Sequence, residues 1–348
     1  MIKVLIVDDS KVIQDFLYHL LSSDSEIQVV AVASSGNEAI DLVRINKPDV
    51  ITMDIHMPGM DGYQATRTIM ETVPTPIVIV SGSLTIREEA NIFRALEAGA
   101  LAVVHRPPGF EHSQFEESRK ELIQTVKLMS KVKIVNLFKK GGKEPEEPHL
   151  MVQPMGNYLK RIEIIAIGAA TGGQIALQKI LSKLPADFQI PVVIVQHISA
   201  GFTKALREWL SQTSGIELKL AEEGEPLAAG VGYIAPDHFH MGITRGKHIN
   251  LTNKPLERGL RPSVNYLFRS VAQAIGSNAF GVLLSGLGTD GAEALKTMKD
   301  KGAFTVVQNE ESSIAFGMPG EALRIGAADL SLSPERIAEI LAKAGTKK

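Results

Sequence analysis

The chain has 348 residues, no cysteine and a formal net charge of −2 at pH 7. These features exclude disulfide bonds, thiolate metal sites and cysteine nucleophiles, and they provide no overall attraction to nucleic acid or anionic membranes. The apolar runs are shorter than the roughly 20 residues that span a bilayer, and the short N-terminal run ends in two acids, unlike a signal peptide. We expect a cytoplasmic protein of two domains that binds no nucleic acid and does not insert into a membrane.

Strand and helix patterns alternate five times along residues 1–106. Short β-branched runs predict the strands, and apolar residues at helical spacing predict the helices between them. The predicted strands are residues 4–7, 29–32, 50–53, 77–80 and 102–104, and the predicted helices are residues 12–21, 38–45, 63–70 and 88–98. Such units form a parallel sheet covered on both faces, so we expect a flavodoxin-like (βα)5 domain at residues 1–125.

A polar stretch separates this region from a second α/β region. A further helix is predicted at residues 116–132, and residues 139–156 have a linker-like composition that includes G-G-K-E-P-E-E-P, so residues 126–160 are assigned to a helix extension and linker. From residue 161 to residue 348 the alternation resumes. This predicts a doubly wound, mainly parallel α/β domain, with short strands and Gly turns at residues 217–251 that suggest a hairpin insertion.

Chemically active side chains follow the predicted strands of the first domain. Asp8 and Asp9 end the first strand, Asp54 the third, Ser81 the fourth and Arg106 the fifth. Three carboxylates at one sheet edge repel one another unless a hard cation joins them, and Mg²⁺ suits such ligands. A carboxylate beside Mg²⁺ can accept a phosphoryl group, which Ser81 could hydrogen-bond and Arg106 could neutralise.

This ordered set resembles the receiver domain of bacterial two-component response regulators. The resemblance covers about residues 1–125 and implies that Asp54 is the phosphoacceptor and Ser81 the switch hydroxyl. It also implies a Mg²⁺ site, formed by Asp8, Asp9, Asp54 and the carbonyl of His56.

Two residues depart from the receiver pattern. Arg106 stands where the family has Lys, and Val103 stands where it usually has an aromatic residue. We expect phosphorylation to persist because Arg keeps the positive charge and offers a wider donor fork. We expect Arg106 and Val103 to alter how phosphorylation is coupled to the output surface.

The second domain opens with a buried strand, a Gly-rich turn and a helix, and Ala170 lies at the bend. Such a bend presents one side chain or one ligand at the top of a parallel sheet. The next strand delivers His197, and a later Gly-rich loop delivers Asp290. A His and an Asp facing this turn match two members of a Ser-His-Asp triad. A dinucleotide site is the alternative, but G-A-A-T-G-G departs from the spacing G-x-G-x-x-G.

These residues carry a second resemblance, to the protein-glutamate methylesterase domain of bacterial chemotaxis (CheB type), over about residues 160–345. A receiver, a linker and such a domain in this order is the architecture of that regulator. The matching stretches are I-G-A-x-T-G-G at 167–173, Q-H-x-x-x-G-F-T at 196–203, I-A-P-x-x-x-H-M at 234–241, R-P-S-V at 261–264, G-x-G-T-D-G at 286–291 and F-G-M-P at 316–319.

The resemblance implies an enzyme that hydrolyses methyl esters of receptor glutamates and can deamidate receptor glutamines. Its implied partners are methyl-accepting chemotaxis receptors and the chemotaxis histidine kinase, and phosphorylation of the receiver relieves occlusion of the site. By the same resemblance His197 is the general base, Asp290 orients it, and Ala170 occupies the nucleophile position, where the family has Ser. His240 matches a family His and is expected to be a hydrogen-bonded structural residue.

Because Ala has no oxygen to attack an ester, we expect little or no esterase activity. Thr171 is an alternative nucleophile, but its stiff side chain points elsewhere on a tight turn. The other departures from the family pattern favour natural divergence over a deliberate Ser→Ala change, and they are Arg106, Val103, Leu287, Asn265, Asn309 and Gly320. Two functions remain open: a weakly active methylesterase, or a non-catalytic pseudo-esterase that binds receptors or acts as a phosphoryl sink.

Overall fold

The structure is a computed structural model that describes residues 1–82, 93–132, 134 and 156–345. The chain divides into two compact units, unit 1 (Met1–Phe138) and unit 2 (Lys139–Lys348). Most of the predicted linker at 139–156 and the first part of the predicted helix at 88–98 lie outside the described residues. Within the described ranges, no helix is long and apolar enough to cross a membrane.

Unit 1 is a five-stranded parallel sheet with the strand order β2-β1-β3-β4-β5. Its strands are β1 (Ile2–Val7), β2 (Ile27–Ala33), β3 (Val50–Met53), β4 (Ile77–Ser81) and β5 (Ala102–His105). Its helices are α1 (Lys11–Ser22), α2 (Gly36–Asn46), α3 (Gly62–Thr72), α4 (residues 93–97) and α5 (Phe115–Met129). The fully buried β3 and β4 are apolar on both faces, as a covered parallel sheet requires, and the predicted flavodoxin-like fold is confirmed.

Local capping defines where the helices of unit 1 begin. The Ser35 side chain accepts a hydrogen bond from the backbone N–H of Glu38, and the Glu38 carboxylate accepts one from the N–H of Ser34. Asp61 caps α3 by accepting from the N–H of Gln64. These caps satisfy N–H groups that a helix start leaves unpaired, and they fix the ends of the loops that carry the candidate site.

Unit 2 is built on a seven-stranded parallel sheet with the order β14-β13-β12-β6-β7-β9-β8. Its strands are β6 (Ile164–Ala169), β7 (Val192–Gln196), β8 (Glu217–Leu220), β9 (Val231–Ile234), β10 (His240–Ile243), β11 (Ile249–Thr252), β12 (Ala279–Leu283), β13 (Phe304–Gln308) and β14 (Leu330–Leu332). Its helices are α6 (Gly156–Leu159), α7 (Gly173–Leu181), α8 (Thr203–Ser211), α9 (Val264–Ala274), α10 (Ala292–Asp300), α11 (Gly317–Arg324) and α12 (Pro334–Gly345), with a 3-10 turn at Gly276–Asn278.

The predicted doubly wound α/β domain is confirmed, with one correction inside the proposed insertion. Only β10 and β11 form an antiparallel hairpin, whereas β8 and β9 pair in parallel and extend the main sheet. All four segments are short and close together in the sequence, so their spacing does not reveal their partners. Packing against β7 decides that β9 belongs to the main sheet.

The order of the central strands sets the position of the candidate site in unit 2. β6 lies between β12 and β7, and all three run in the same direction. The loops that follow these strands therefore emerge at one sheet edge, at the point where the strand order reverses. Those loops carry Ala170, His197 and Asp290.

Candidate functional site

Three carboxylates converge at the carboxyl edge of the unit 1 sheet. Asp8 and Asp9 follow β1, Asp54 follows β3, and one oxygen from each lies within 4.8 Å of the others. The backbone holds this arrangement, because the N–H of Asp54 donates to the carbonyl of Val7 at 2.9 Å. The structure thus brings together the three predicted carboxylate ligands. Three hard oxygen donors on adjacent strand ends fit a divalent cation such as Mg²⁺.

The electrostatics of this cluster favour a cation. Burial raises the pKa of Asp8 to about 6, against the N–H of Ser10, which lowers it, and the nearby Asp54 carboxylate adds to the rise. Burial likewise raises the pKa of Asp54, although the N–H of Ile55 and the positive charge of Arg106 act in the opposite direction. Burial and mutual repulsion thus disfavour the charged forms of these carboxylates, and a bound divalent cation would offset that cost.

The other predicted receiver residues lie around the same edge. His56 donates its backbone N–H to Oδ2 of Asp54 at 3.2 Å. Ser81 ends β4 and is buried, and its carbonyl accepts the N–H of Arg106 at 2.8 Å. The Arg106 guanidinium lies directly over the Cα atom of Gly82, because a Cβ built on that glycine would be 2.1 Å from Nη2. Arg106 thus lies next to Ser81 and influences the charge on Asp54.

In unit 2, the turn after β6 places Ala170 against the loop that follows β12. The N–H of Ala170 donates to the carbonyl of Ser285 at 2.9 Å, and Gly172 takes a left-handed φ of 78° before α7 begins. Gly286 makes this approach possible, because a Cβ at that position would lie 2.7 Å from Cβ of Ala170. Ala170 is 6% exposed, and its side chain is a single methyl group.

His197 is tied to the same turn through the backbone and through Gln196. The N–H of His197 donates to the carbonyl of Ala169 at 2.8 Å. The Gln196 amide donates from Nε2 to the carbonyls of Ala170 and His197, both at 2.9 Å. The bend and His197 are therefore held in a fixed relation, and Gln196 links them through a contact that the sequence motifs did not reveal.

His197 and Asp290 form a close pair. Nε2 of His197 lies 3.1 Å from Oδ2 of Asp290, although the ring nitrogen is not aligned as a hydrogen-bond donor. Such pairs are often imperfectly aligned without substrate and tighten when it binds. Because Nε2 faces the carboxylate, Nδ1 is the nitrogen left to exchange a proton with a substrate or nucleophile. Thr171 makes no hydrogen bond to His197 in the part of the chain that the structure describes.

A set of buried donors compensates the Asp290 carboxylate. Oδ1 accepts from the Ser263 hydroxyl at 3.0 Å and from the N–H of Asn265 at 3.1 Å, and Oδ2 accepts from the N–H of Val264 at 2.7 Å. These donors belong to the first turn of α9, whose N-terminus favours negative charge. Burial would raise the pKa of Asp290, but His197 and the N–H groups of Val264 and Asn265 outweigh it and hold that pKa below its usual value.

Comparisons with known proteins identify both units. The response regulator receiver domain profile matches residues 4–113, and the CheB methylesterase profile matches residues 165–341. Over its whole length the chain is 48% identical to the full length of "Protein-glutamate methylesterase/protein-glutamine glutaminase 4" of Geobacter metallireducens. It is also 48% identical, over 99% of this chain and 98% of the relative, to "Protein-glutamate methylesterase/protein-glutamine glutaminase 1" of Syntrophus aciditrophicus. The chain belongs to the CheB methylesterase family.

The fold of unit 2 agrees with this membership. The crystal structure of the Thermotoga maritima CheB methylesterase catalytic domain is 35% identical in sequence, with a TM-score of 0.51, over 52% of this chain and 98% of that one. The chain therefore combines a response regulator receiver domain with a CheB methylesterase domain.

Two of the matching sequence stretches, residues 196–203 and 234–241, are joined by hydrogen bonds. Asp237, in the stretch I-A-P-D-H-F-H-M, accepts the N–H of Gly201 at 2.9 Å and the hydroxyl of Thr203 at 2.5 Å. It thereby fixes the loop that follows His197. His240 is fully buried and stacks on Tyr266 with its Nε2 atom 3.1 Å from the carbonyl of Pro255, in agreement with a structural role.

The sequence interpretation missed the support of Asp290 by Ser263. A Ser directly before an amphipathic helix signals an N-cap, and Ser263 does accept the N–H of Tyr266. That signal would have revealed the start of α9 but not its partner, because Asp290 lies 27 residues further along the chain. Asn265 acts similarly, since its side-chain oxygen accepts the N–H of Ala294 in the first turn of α10.

Proposed function

We propose that this chain is a phosphorylation-controlled regulator whose methylesterase domain binds receptor glutamate methyl esters but hydrolyses them only at a background rate. The observation that carries the proposal is the pairing of His197 with Asp290 beside a bend that holds Ala170. His197 and Asp290 are paired as a general base and its orienting acid would be, whereas the Ala170 side chain has no oxygen that could attack an ester.

The receiver half of the proposal assigns the phosphoacceptor role to Asp54. Asp8, Asp9, Asp54 and the carbonyl of His56 would hold Mg²⁺, which when bound supplies positive charge to the incoming phosphoryl group. Ser81 would hydrogen-bond one phosphoryl oxygen. Arg106, whose charge already lowers the pKa of Asp54, would neutralise another.

In the methylesterase half, His197 and Asp290 contribute to binding rather than to nucleophilic attack. The Asp290 carboxylate orients the imidazole, whose Nδ1 can hydrogen-bond an ester or amide group at the bend. The only remaining chemical route is water attack, and triads without a member keep only about 10³- to 10⁴-fold acceleration over water. We therefore assign this site to the recognition of methylated or amidated glutamate side chains, the substrate class that the names of the relatives state.

The proposed partners follow from the same family membership. A histidine kinase would donate the phosphoryl group to Asp54, and methyl-accepting receptors would present the side chains that unit 2 binds. A protein of this kind would protect methylated receptors from an active methylesterase while it consumed kinase phosphoryl groups.

The phosphoacceptor assignment is tested by labelling the full chain with [³²P]acetyl phosphate in the presence of Mg²⁺. We expect the wild-type protein to be labelled, and we expect Asp54→Asn or removal of Mg²⁺ with EDTA to abolish the label. Asp41→Asn, which changes an exposed acid of α2, is the control and should label normally. Labelling of the Asp54→Asn variant would refute the assignment.

Recognition without turnover is tested with a methylated receptor fragment. Methanol release should stay near background, while the full chain should bind the methylated fragment more tightly than the unmethylated one. Turnover within about tenfold of an active family member would overturn the loss of activity. Equal affinity for both fragments would overturn the binding role.

A further inference from the structure

The end of β4 contains a glycine that its backbone conformation does not require. Gly82 is not among the glycines with a left-handed φ. Its surroundings explain it instead. In the register of β4 and β5, Ser81 is opposite His105, so the next residues along each strand, Gly82 and Arg106, adjoin each other. A Cβ on Gly82 would lie 2.1 Å from Nη2 and 2.4 Å from Cζ of Arg106.

The atoms that fill this space belong to the end of a flexible side chain. At Gly62, by contrast, a Cβ would meet the backbone carbonyl of Asp54 at 2.0 Å, which cannot move without disturbing the fold. A methyl group at position 82 could be accommodated by a swing of the Arg106 side chain alone. The glycine is therefore needed for the position of the guanidinium and not for the fold.

We propose that Gly82 is a positioning residue that lets the planar guanidinium of Arg106 lie flat beside Ser81, directed at a phosphoryl group on Asp54. This inference rests on the proposed phosphorylation of Asp54. An ammonium group is compact and sits on a narrow stem, so Lys would not need the missing Cβ, whereas the planar fork of Arg does. The Gly82–Arg106 pair is thus a matched unit within the phosphoryl site.

The test compares four full-length variants with the wild-type protein in the presence of Mg²⁺: Gly82→Ala, Arg106→Lys, the double variant Gly82→Ala/Arg106→Lys, and Gly109→Ala. Gly109 is the matched control, because it lies near Arg106 in sequence and has no atom within 4 Å of an added Cβ. Two readouts apply: the initial rate of labelling by [³²P]acetyl phosphate, and ¹⁹F NMR of bound beryllofluoride, a phosphoryl mimic whose resonances respond to nearby cations.

We expect Gly82→Ala to slow labelling about tenfold, as expected from the loss of one charge-assisted hydrogen bond, and to shift one fluorine resonance. Arg106→Lys and the double variant should label within about twofold of each other, because Lys avoids the new methyl group. Gly109→Ala should behave as the wild type, and the melting temperatures of Gly82→Ala and Gly109→Ala should agree.

The coupling between the two positions decides the result. Wild-type labelling by Gly82→Ala would overturn the inference, and so would a double variant that is slower than Arg106→Lys by the same factor as Gly82→Ala is slower than the wild type. If Gly82→Ala unfolds, the double variant still decides the question, because it carries the same methyl group. A folded double variant that is labelled supports a clash with Arg106, and a double variant that also unfolds refutes it. Absence of labelling in the wild-type protein would instead refute the proposed function.

Discussion

In unit 1, three carboxylates lie close together with few donors, and burial raises the pKa of Asp8 to about 6. In unit 2, the equally buried Asp290 accepts four hydrogen bonds, which come from Ser263, Val264, Asn265 and Gly291, and its pKa is lowered. Burial alone therefore does not decide the charge state of an acid. Neighbouring groups decide it: His197 and the N–H groups of Val264 and Asn265 lower the pKa of Asp290, whereas nearby carboxylates add to the rise in the pKa of Asp8.

The difference shows what each site lacks. The three carboxylates of unit 1 repel one another, and a bound divalent cation would offset that repulsion. The unit 2 carboxylate is already compensated by its own protein, and so it can hold His197 in place. Under the proposed function, unit 2 lacks a nucleophilic oxygen, because Ala170 has only a methyl group.

The largest expected effect is that of Ala170→Ser on methyl-ester hydrolysis. Removal of the nucleophile from a triad lowers kcat about 10⁶-fold, so its return should raise methanol release from a methylated receptor fragment by about 10³-fold or more. The control is Ala170→Ser combined with His197→Gln, which should return to background. An unchanged rate in Ala170→Ser would show that other departures, such as Leu287 or Gly320, also disable the site.

The next effect in size is the loss of stability on Asp290→Ala. The Ser263 hydroxyl and the N–H groups of Val264 and Asn265 would remain buried without their acceptor, so we expect the free energy of unfolding to fall by about 3 kcal/mol. The chain has one tryptophan, Trp209, which is buried in α8, so its fluorescence during urea unfolding reports on unit 2.

Asp300→Ala is the matched control for that measurement. Asp300 pairs with Lys296 on the exposed face of α10, and such pairs contribute about 0.5 kcal/mol or less. An equal loss of stability in both variants would mean that the donors around Asp290 do not stabilise unit 2, and the contrast between the two sites would then fail.

The sequence predicts the acidic cluster better than the support of Asp290, for a physical reason. Parallel strands end at one sheet edge, so Asp8, Asp9 and Asp54 must converge once the strands are recognised. The contact of Ser263 with Asp290 depends instead on how α9 packs against the loop after β12, and no local pattern encodes that packing.

The same limit applies to the fit of Arg106 against Gly82. The strand pattern places Ser81 and Arg106 at one sheet edge but gives no role to Gly82, and the close approach of the guanidinium to its Cα atom appears only in three dimensions. The short strands β8 and β9 illustrate the point at the level of the fold, because their parallel pairing with the main sheet is set by tertiary contacts and not by their spacing.

A smaller effect is expected when the pH is changed without Mg²⁺. The pKa of Asp8 is raised from 3.8 to about 6, so its contribution to stability is fully present below pH 3.8 and is lost as the pH rises through about 6. Between pH 7 and pH 5, unit 1 should gain about 1 kcal/mol, measured by hydrogen exchange of the β1 amides. Mg²⁺ at pH 7 should also protect these amides. Parallel pH profiles for the wild type and Asp8→Asn would contradict this assignment.

The smallest effect concerns Ser263, whose hydroxyl donates to Asp290 from the N-cap of α9. Ser263→Ala removes that hydrogen bond and the cap of Tyr266, but the backbone donors of Val264, Asn265 and Gly291 remain. We expect the free energy of unfolding to fall by about 1 kcal/mol, followed by Trp209 fluorescence, and Ser263→Thr to restore most of it. A loss as large as that of Asp290→Ala would show that the hydroxyl holds the carboxylate. A loss of only about 1 kcal/mol, the usual cost of an N-cap, would instead show that the backbone N–H groups of Val264 and Asn265 stabilise the Asp290 carboxylate. A side-chain substitution does not remove those donors.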